Sequence, residues 1–384
     1  MPPRRLAMLL TVAALGATAA AQSPRAMRGT AATDRAQQVL RALENHPQDP
    51  LPGWAAAVGQ GRRVVFSQAA GLADLQARRT TTPQTRVRVY SVAKSIGAAA
   101  AMRLAEAGRL DLDAPIASYL PSLPAHLRAI TVRQLLAHRS GVRHYRPGEW
   151  ASVSDFNCAT PAQALPDFVD DPLLFKPGQG YQYSTFGYVL LSAVLEAAAG
   201  QPFDALMREL VFEPAGMNAT AIEGRPLPEM PGLPAQPVAV FYDRSEAGRF
   251  SPTTGIDASC KYLGGGLVST AEDLVRFGLA LLDGRLVSPA GLAQMLRVHS
   301  EGGENHPPYG YGFFPGENVL TTAFSVPVED VEPAWWHGGS GRGGYAVLIL
   351  YPKQRAAAAI TTNVRASGRL VRATHTMALP FLRP

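Results

Sequence analysis

Ser91-Val92-Ala93-Lys94-Ser95-Ile96-Gly97-Ala98-Ala99-Ala100-Ala101 opens a stretch, Val92 to Gly108, that is rich in alanine and strongly helical. A lysine three residues after a serine lies on the same helix face, within side-chain reach. A serine hydroxyl is a weak nucleophile that needs a base. A desolvated lysine loses basicity and can take the serine proton, and the helix N-terminus offers N–H groups to an oxyanion. On those four residues alone, an N-cap serine followed by a surface lysine reads equally well. Composition tips the balance. Of 36 basic residues only four are lysine (Lys94, Lys176, Lys261 and Lys353), and the rest are arginine. A chain that rarely spends lysine on its surface has placed one in an apolar run, three residues after Ser91. Arginine could not replace it as a base, because a guanidinium does not give up its proton.

Outward from this helix, the ends of the chain have strand character and the middle is helical. Trp54–Val58 and Arg62–Ala69 flank Gly59-Gln60-Gly61 as a hairpin. Ala334–His337, Tyr345–Tyr351 and Ala357–Thr362 are short strand runs near the C-terminus. Between them Thr131 caps Val132–His138, Pro161–Asp170 reads as a helix, and Thr185–Ala199 is a helix stopped by Gly200. Ser269-Thr270-Ala271-Glu272 reads as a capping box for a helix to about Asp283, preceded by Gly264-Gly265-Gly266, which suggests close backbone approach. Helices at Asp34–Glu44 and Ser367–Leu382 close the two ends. The pattern predicts an α+β fold: one antiparallel sheet built from N- and C-terminal segments, flanked by helices, with a mostly helical lobe at about 110–260 inserted between. The cleft between lobe and sheet is the expected site.

The 384 residues carry a formal charge of +6, 17% charged and 47% hydrophobic residues, which excludes a disordered polyelectrolyte. Arginines are scattered, so no nucleic-acid partner is expected. Residues 1–21 read as a secretory signal, with Arg4 and Arg5, an apolar Leu6–Ala17 and the small residues Ala19-Ala20-Ala21. Without that segment the charge falls from +6 to +4. Residues 22–33 read as a flexible leader. The expectation is a periplasmic or secreted bacterial protein with no stable membrane span after cleavage. Cys158 and Cys260 are the only cysteines, and either a disulfide or two buried thiols fits them. With no CxxC or HExxH, neither a metal nor a cofactor is expected.

Two further segments carry chemistry. Tyr181-Gln182-Tyr183-Ser184-Thr185 follows Lys176-Pro177-Gly178 at a loop-to-helix junction. A tyrosine there can relay a proton if a nearby cation lowers its pKa, or can simply pack with its hydroxyl bonded. His337-Gly338-Gly339-Ser340 precedes a strand. Its glycines let a substrate approach the strand edge, and a strand N–H can complete an oxyanion hole. A glycine-rich turn with a surface histidine is the plainer reading.

Taken in order, Ser91…Lys94, Tyr183 and His337-Gly338-Gly339 resemble the S-x-x-K, Y-x-N and K/H-x-G signature of the serine β-lactamase and penicillin-binding-protein superfamily. The spacing is similar to the branch of class C β-lactamases, D-Ala-D-Ala carboxypeptidases and carboxylesterases. Ser140–Tyr145 and Tyr183–Tyr188 resemble its animal mitochondrial serine β-lactamase-like members. The resemblance runs from about Trp54 to the C-terminus and implies one serine hydrolase domain over 34–384. It implies Ser91 as acylated nucleophile, Lys94 as proton acceptor, Tyr183 as proton relay and His337 in place of the third-motif cation. The N–H groups of Ser91 and Ser340 would form the oxyanion hole, with Gly338 and Gly339 beside the substrate. Thr185 stands where the signature has Asn, facing the acyl side chain, and Gly338 where Thr is common. His337 is only partly cationic near neutral pH, so Arg342 would have to help hold a substrate carboxylate. These departures fit a peptidase or esterase acting on a small-molecule or peptide substrate better than a β-lactamase. The competing expectation is a non-catalytic or assembly-forming, oligomeric member of the same fold.

Overall fold

In the computed structural model, the described residues are 31–44, 46–47, 49–146, 149, 158–225, 238–302, 307–316 and 334–382. The signal read at 1–21 and the leader up to residue 30 lie outside them. Among the described residues the strands are β1 (Gly53–Gln60), β2 (Arg63–Asp74), β3 (Arg79–Thr80), β4 (Val87–Arg88), β5 (Ala221–Ile222), β6 (Tyr242–Arg244), β7 (Phe250–Pro252), β8 (Leu267–Ser269), β9 (Phe314–Pro315), β10 (Trp335–Gly341), β11 (Gly344–Tyr351) and β12 (Ala356–Thr362). The helices that frame the site are α1 (Ala31–Glu44), α2 (Val92–Glu106), α3 (Val132–Leu136), α4 (Thr185–Ala199), α5 (Ala271–Leu282) and α6 (Arg369–Leu382).

The main sheet has seven strands in the order β3-β2-β1-β12-β11-β10-β9. Its pairs are antiparallel, and Trp54 of β1 sits opposite Thr362 of β12. Side chains alternate across the strands. Trp54, Ala56, Val58, Ile349 and Ile360 face a layer that includes Leu40 of α1 and Met377 of α6. Ala55, Ala57, Leu348 and Leu350 face the core built around α2, α4 and α5. Cover on both faces explains why β11 and β12 are buried throughout and read as continuous apolar runs. A Cβ on Gly278 of α5 would lie 2.7 Å from Leu350 and 2.8 Å from Ala357, so that glycine sets how closely α5 approaches the sheet. The sheet joined from both ends and the helical middle give the α+β architecture expected. Among the described residues no single helix is long and apolar enough to cross a membrane.

Local departures have local causes. α1 starts at Ala31, three residues inside the stretch read as leader. Pro161–Asp167 winds as a 3₁₀ helix with Pro166 inside it, which removes an amide donor. Thr131 and Gln134 form a reciprocal capping box on α3. The cap of α5 is Thr270, which accepts from the Asp273 N–H; Ser269 instead ends β8 and bonds Thr220. The glycine stretch after His337 is no turn: β10 runs through Gly338, Gly339 and Ser340 to Gly341.

The two chain ends are fastened through Asp49. Its carboxylate accepts from Ser367 Oγ at 2.8 Å and Arg369 Nε at 2.7 Å, and also pairs with Arg244. Burial opposes its charge, but these bonds prevail and bring the pKa down to about 2. A carboxylate with a depressed folded pKa stabilises above its unfolded pKa, and that contribution is lost as pH falls through the folded value. Denaturant unfolding of wild type and Asp49→Asn should therefore differ by roughly 2 kcal/mol more at pH 6 than at pH 2. A pH-independent difference would contradict this.

Candidate active site

The turn before α2 sets the first group. Tyr90 has φ +44°, a left-handed conformation that costs a bulky residue energy. It is held there by its hydroxyl, which donates to the Arg342 carbonyl, and by its ring, which fills the space over Gly341. Ser91 follows at the N-cap, yet its side chain makes no capping bond. The hydroxyl instead meets Lys94 Nζ at 2.9 Å. Lys94 is fully buried, and its ammonium position also donates to the Gly264 carbonyl at 2.7 Å and lies 3.3 Å from Thr185 Oγ1. Burial, then the charge of Lys261, hold its pKa well below the usual lysine range.

Tyr183 is placed by the start of α4. Ser184 caps that helix by accepting from the Gly187 N–H and donates to the Arg143 carbonyl. The Tyr183 ring lies 4.9 Å from Lys94 Nζ, and its hydroxyl bonds Ser91. The lowered pKa expected for a relay is absent. Burial raises it, more than the Ser91 bond lowers it, so the phenol is protonated at rest.

The third segment brings strand β10 against the nucleophile turn. A Cβ on Gly339 would fall 1.9 Å from the Val89 carbonyl oxygen and 2.9 Å from Ser91 N, so only glycine permits this approach. Gly341 pairs with Gly344 across a two-residue turn and Ser340 faces Tyr345. A closing pair exchanges both hydrogen bonds, so the alternation turns the Ser340 N–H to the outer edge of β10, toward Ser91. Gly264 and Gly265 also line the cleft. A Cβ on Gly264 would lie 2.6 Å from Thr185, which accounts for that glycine run.

Two residues do not do what the sequence suggested. His337 is 1% exposed and bonded through Nε2 to the Tyr309 hydroxyl at 3.1 Å. Burial, then the charge of Lys94, depress its pKa to about 3, so it is a neutral packing residue and not a partial cation. Arg342 pairs with Asp243 and does not line the cleft, so it does not hold a substrate carboxylate. Thr185 does line the cleft, with Ser91, Tyr183, Gly338 and Ser340, in a cavity of about 580 Å³.

Lys261, Arg146 and Arg365, which the motifs did not reveal, line the same cavity; among the described residues no carboxylate lines it, and Arg146 pairs with Asp171 at 2.6 Å. For Lys261 a signal existed, since it is another of the four lysines and stands three residues before the glycine run. Its burial, then the charge of Arg88, bring its pKa down to about 8, with Glu223 acting in the other direction. Cys260, its neighbour, forms a disulfide with Cys158, which settles the pairing left open by the sequence.

Among known proteins, the chain is similar to the mitochondrial serine beta-lactamase-like protein LACTB of Bos taurus, at 25% identity over 88% of this chain and 75% of the relative. It is 31% identical to esterase EstB of Burkholderia gladioli over 78% of this chain and 86% of the relative. The octameric penicillin-binding protein homologue from Pyrococcus abyssi superposes with a TM-score of 0.74 over 91% of this chain and 77% of that one; at 23% identity that likeness speaks for the fold. The Beta-lactamase family profile matches residues 22–379, and by that match, which spans all three motifs, the chain belongs to this family of serine hydrolases.

Proposed function

We propose that the protein hydrolyses amide or ester bonds through an acyl-enzyme on Ser91. The observation that carries this reading is the contact of 2.9 Å between Ser91 Oγ and the nitrogen of a fully buried lysine. Neutral Lys94 accepts the hydroxyl proton as Oγ attacks the carbonyl carbon. The N–H groups of Ser91 and Ser340 receive the developing oxyanion. The proton passes from Lys94 through Tyr183 to the leaving nitrogen or oxygen, and the carbonyl–leaving-group bond breaks. Water then gives a proton to the same relay, its oxygen attacks the acyl carbon, the bond from that carbon to Ser91 Oγ breaks, and Oγ takes the proton back as the acid leaves.

Amides are favoured over esters. An amine cannot depart without a proton, and Tyr183, kept protonated by burial, is a donor beside the nucleophile. The loss of a cation at His337 and of a hydroxyl at Gly338 argues against β-lactams as the main substrates. A non-catalytic role accords poorly with a lysine buried where it serves only Ser91 and its surroundings. We further propose that the enzyme works outside the cytoplasm; the signal-like segment and the Cys158–Cys260 disulfide support that placement.

Incubation with a fluorophosphonate, followed by digestion and mass spectrometry, should find the added mass on the peptide containing Ser91. A label elsewhere, or none, would refute the assignment.

A further inference from the structure

We infer that His138 is the positioning residue that aims Tyr183 at the leaving group. The inference rests on the reading of Ser91 as nucleophile and Tyr183 as relay, because it is the proton transfer that requires a fixed phenol. Tyr183 lies in an irregular stretch, 181–184, just before α4, so no helix or strand ladder holds it. His138 grips the chain on both sides of it. The His138 carbonyl accepts from the Gln182 N–H at 2.9 Å, and His138 Nδ1 accepts from the Ser184 N–H at 3.1 Å. Between those two bonds the imidazole packs on the phenol, with ring centroids 4.3 Å apart. Lys94 Nζ lies 4.9 Å from the centre of the same phenol, whose hydroxyl bonds Ser91. His138 itself is 1% exposed and does not line the cleft, so it acts through Tyr183 and not on the substrate.

The clasp is itself anchored. His138 follows α3 at φ +56°, a left-handed conformation that turns the chain back toward α4. Four successive carbonyls of this turn are engaged. Leu136 accepts from the Tyr188 hydroxyl at 2.9 Å, Ala137 from Ser300 Oγ at 2.6 Å, His138 from Gln182, and Arg139 from the Gly178 N–H at 2.8 Å. Besides Tyr183, the rings packed on His138 are Tyr181, Tyr188 and Tyr309, all kept protonated by burial. A backbone amide only donates, so Nδ1 carries no hydrogen, and the imidazole is neutral with its hydrogen on Nε2. The device recurs one residue on, where His144 Nδ1 accepts from the Thr185 N–H at 3.2 Å. Two substitutions separate the bond from the packing. Asparagine places its amide oxygen where Nδ1 stands and tolerates a positive φ, whereas phenylalanine keeps the ring and removes the acceptor.

Two esters of one acid read the aim of Tyr183. As the carbonyl–oxygen bond of ethyl butyrate breaks, its electron pair goes to ethoxide, a strong base that takes the Tyr183 proton, and Tyr183 recovers one from Lys94. The p-nitrophenolate of p-nitrophenyl butyrate is a weak base and leaves without that proton. For both esters kcat/KM covers the steps up to acylation. In His138→Phe it should fall about 10²-fold with ethyl butyrate and less than about threefold with p-nitrophenyl butyrate. His138→Asn should stay within about tenfold of wild type with ethyl butyrate. A purely structural role would lower both esters alike. Equal losses, no loss with ethyl butyrate, or an asparagine variant as impaired as the phenylalanine one overturns the inference. Heteronuclear NMR of the wild-type protein carrying labelled histidine reads the clasp without turnover, with His138 assigned by its loss in His138→Asn. At pH 7 it should show a bare Nδ1 and a hydrogen on Nε2. The other tautomer, or an imidazolium, overturns the inference even where His138→Phe fails to fold. Failure of the nucleophile assignment would show separately, in the labelling experiment.

Discussion

Lys94→Met is expected to lower kcat/KM by about 10³- to 10⁴-fold and, at the same time, to raise the melting temperature. The first effect follows from removing the nitrogen 2.9 Å from Ser91 Oγ, with no other base within reach of that hydroxyl among the described contacts. The second follows from the sign of its pKa shift. Lys94 is depressed in the folded state, chiefly by burial. Below the ordinary lysine pKa the unfolded chain binds a proton that the folded one does not, so stability increases with pH and the lysine is a cost at pH 7. Methionine fills similar volume and carries no such cost. Lys94→Arg should be equally inactive but destabilised, since it places a permanent charge in the same site. Activity of Lys94→Met within tenfold of wild type would remove Lys94 from the mechanism; a lower melting temperature would show that its burial is not the strain described.

Gly339→Ala should reduce kcat by about 10²- to 10³-fold, the size expected for loss of one oxyanion donor, with a stability loss of about 1–3 kcal/mol. The added carbon would fall 1.9 Å from the Val89 oxygen, so β10 must draw back from the nucleophile turn and take the Ser340 N–H with it. Gly338→Ala is the matched control. Its added carbon meets nothing nearer than the Trp336 ring at 3.2 Å, and kcat should change by less than about threefold. Equal loss in the two variants would show that glycine content, and not the Gly339 approach, is what matters. Steady-state kinetics with any substrate that acylates Ser91 reads both.

Much of this was legible before the structure because it is carried by local chemistry. Thr131 and Gly200 mark helix ends by their own hydrogen bonding and left-handed backbone. The strands near both termini announce a sheet, and an uncommon lysine after Ser91 announces a base. What the sequence hid depends on burial and on distant segments. Whether His337 is charged is decided by its burial and by the Lys94 nitrogen, which outweigh the bond to the neighbouring Gly338 carbonyl. Arg342 looked available until Asp243, from another strand, was seen beside it. The cleft's cations come from residues 146, 261 and 365, which no single motif spans. Ser269 and Thr270 compete for one cap, and the outcome follows from β8 running as far as Ser269.

The pairing of β1 with β12 also has a consequence for how the chain comes into being. Gly53 and Thr362, bonded in the centre of the sheet, are 309 positions apart. On a ribosome making 5–20 residues per second, Ser91 emerges roughly 10–50 s before Ser340. Throughout that interval the nascent chain holds a nucleophile and its base without the strand that stabilises an oxyanion. Such long-range pairing folds slowly. On the proposed mechanism, acylation of Ser91 would wait until β10 docks against the turn before α2, near the end of synthesis.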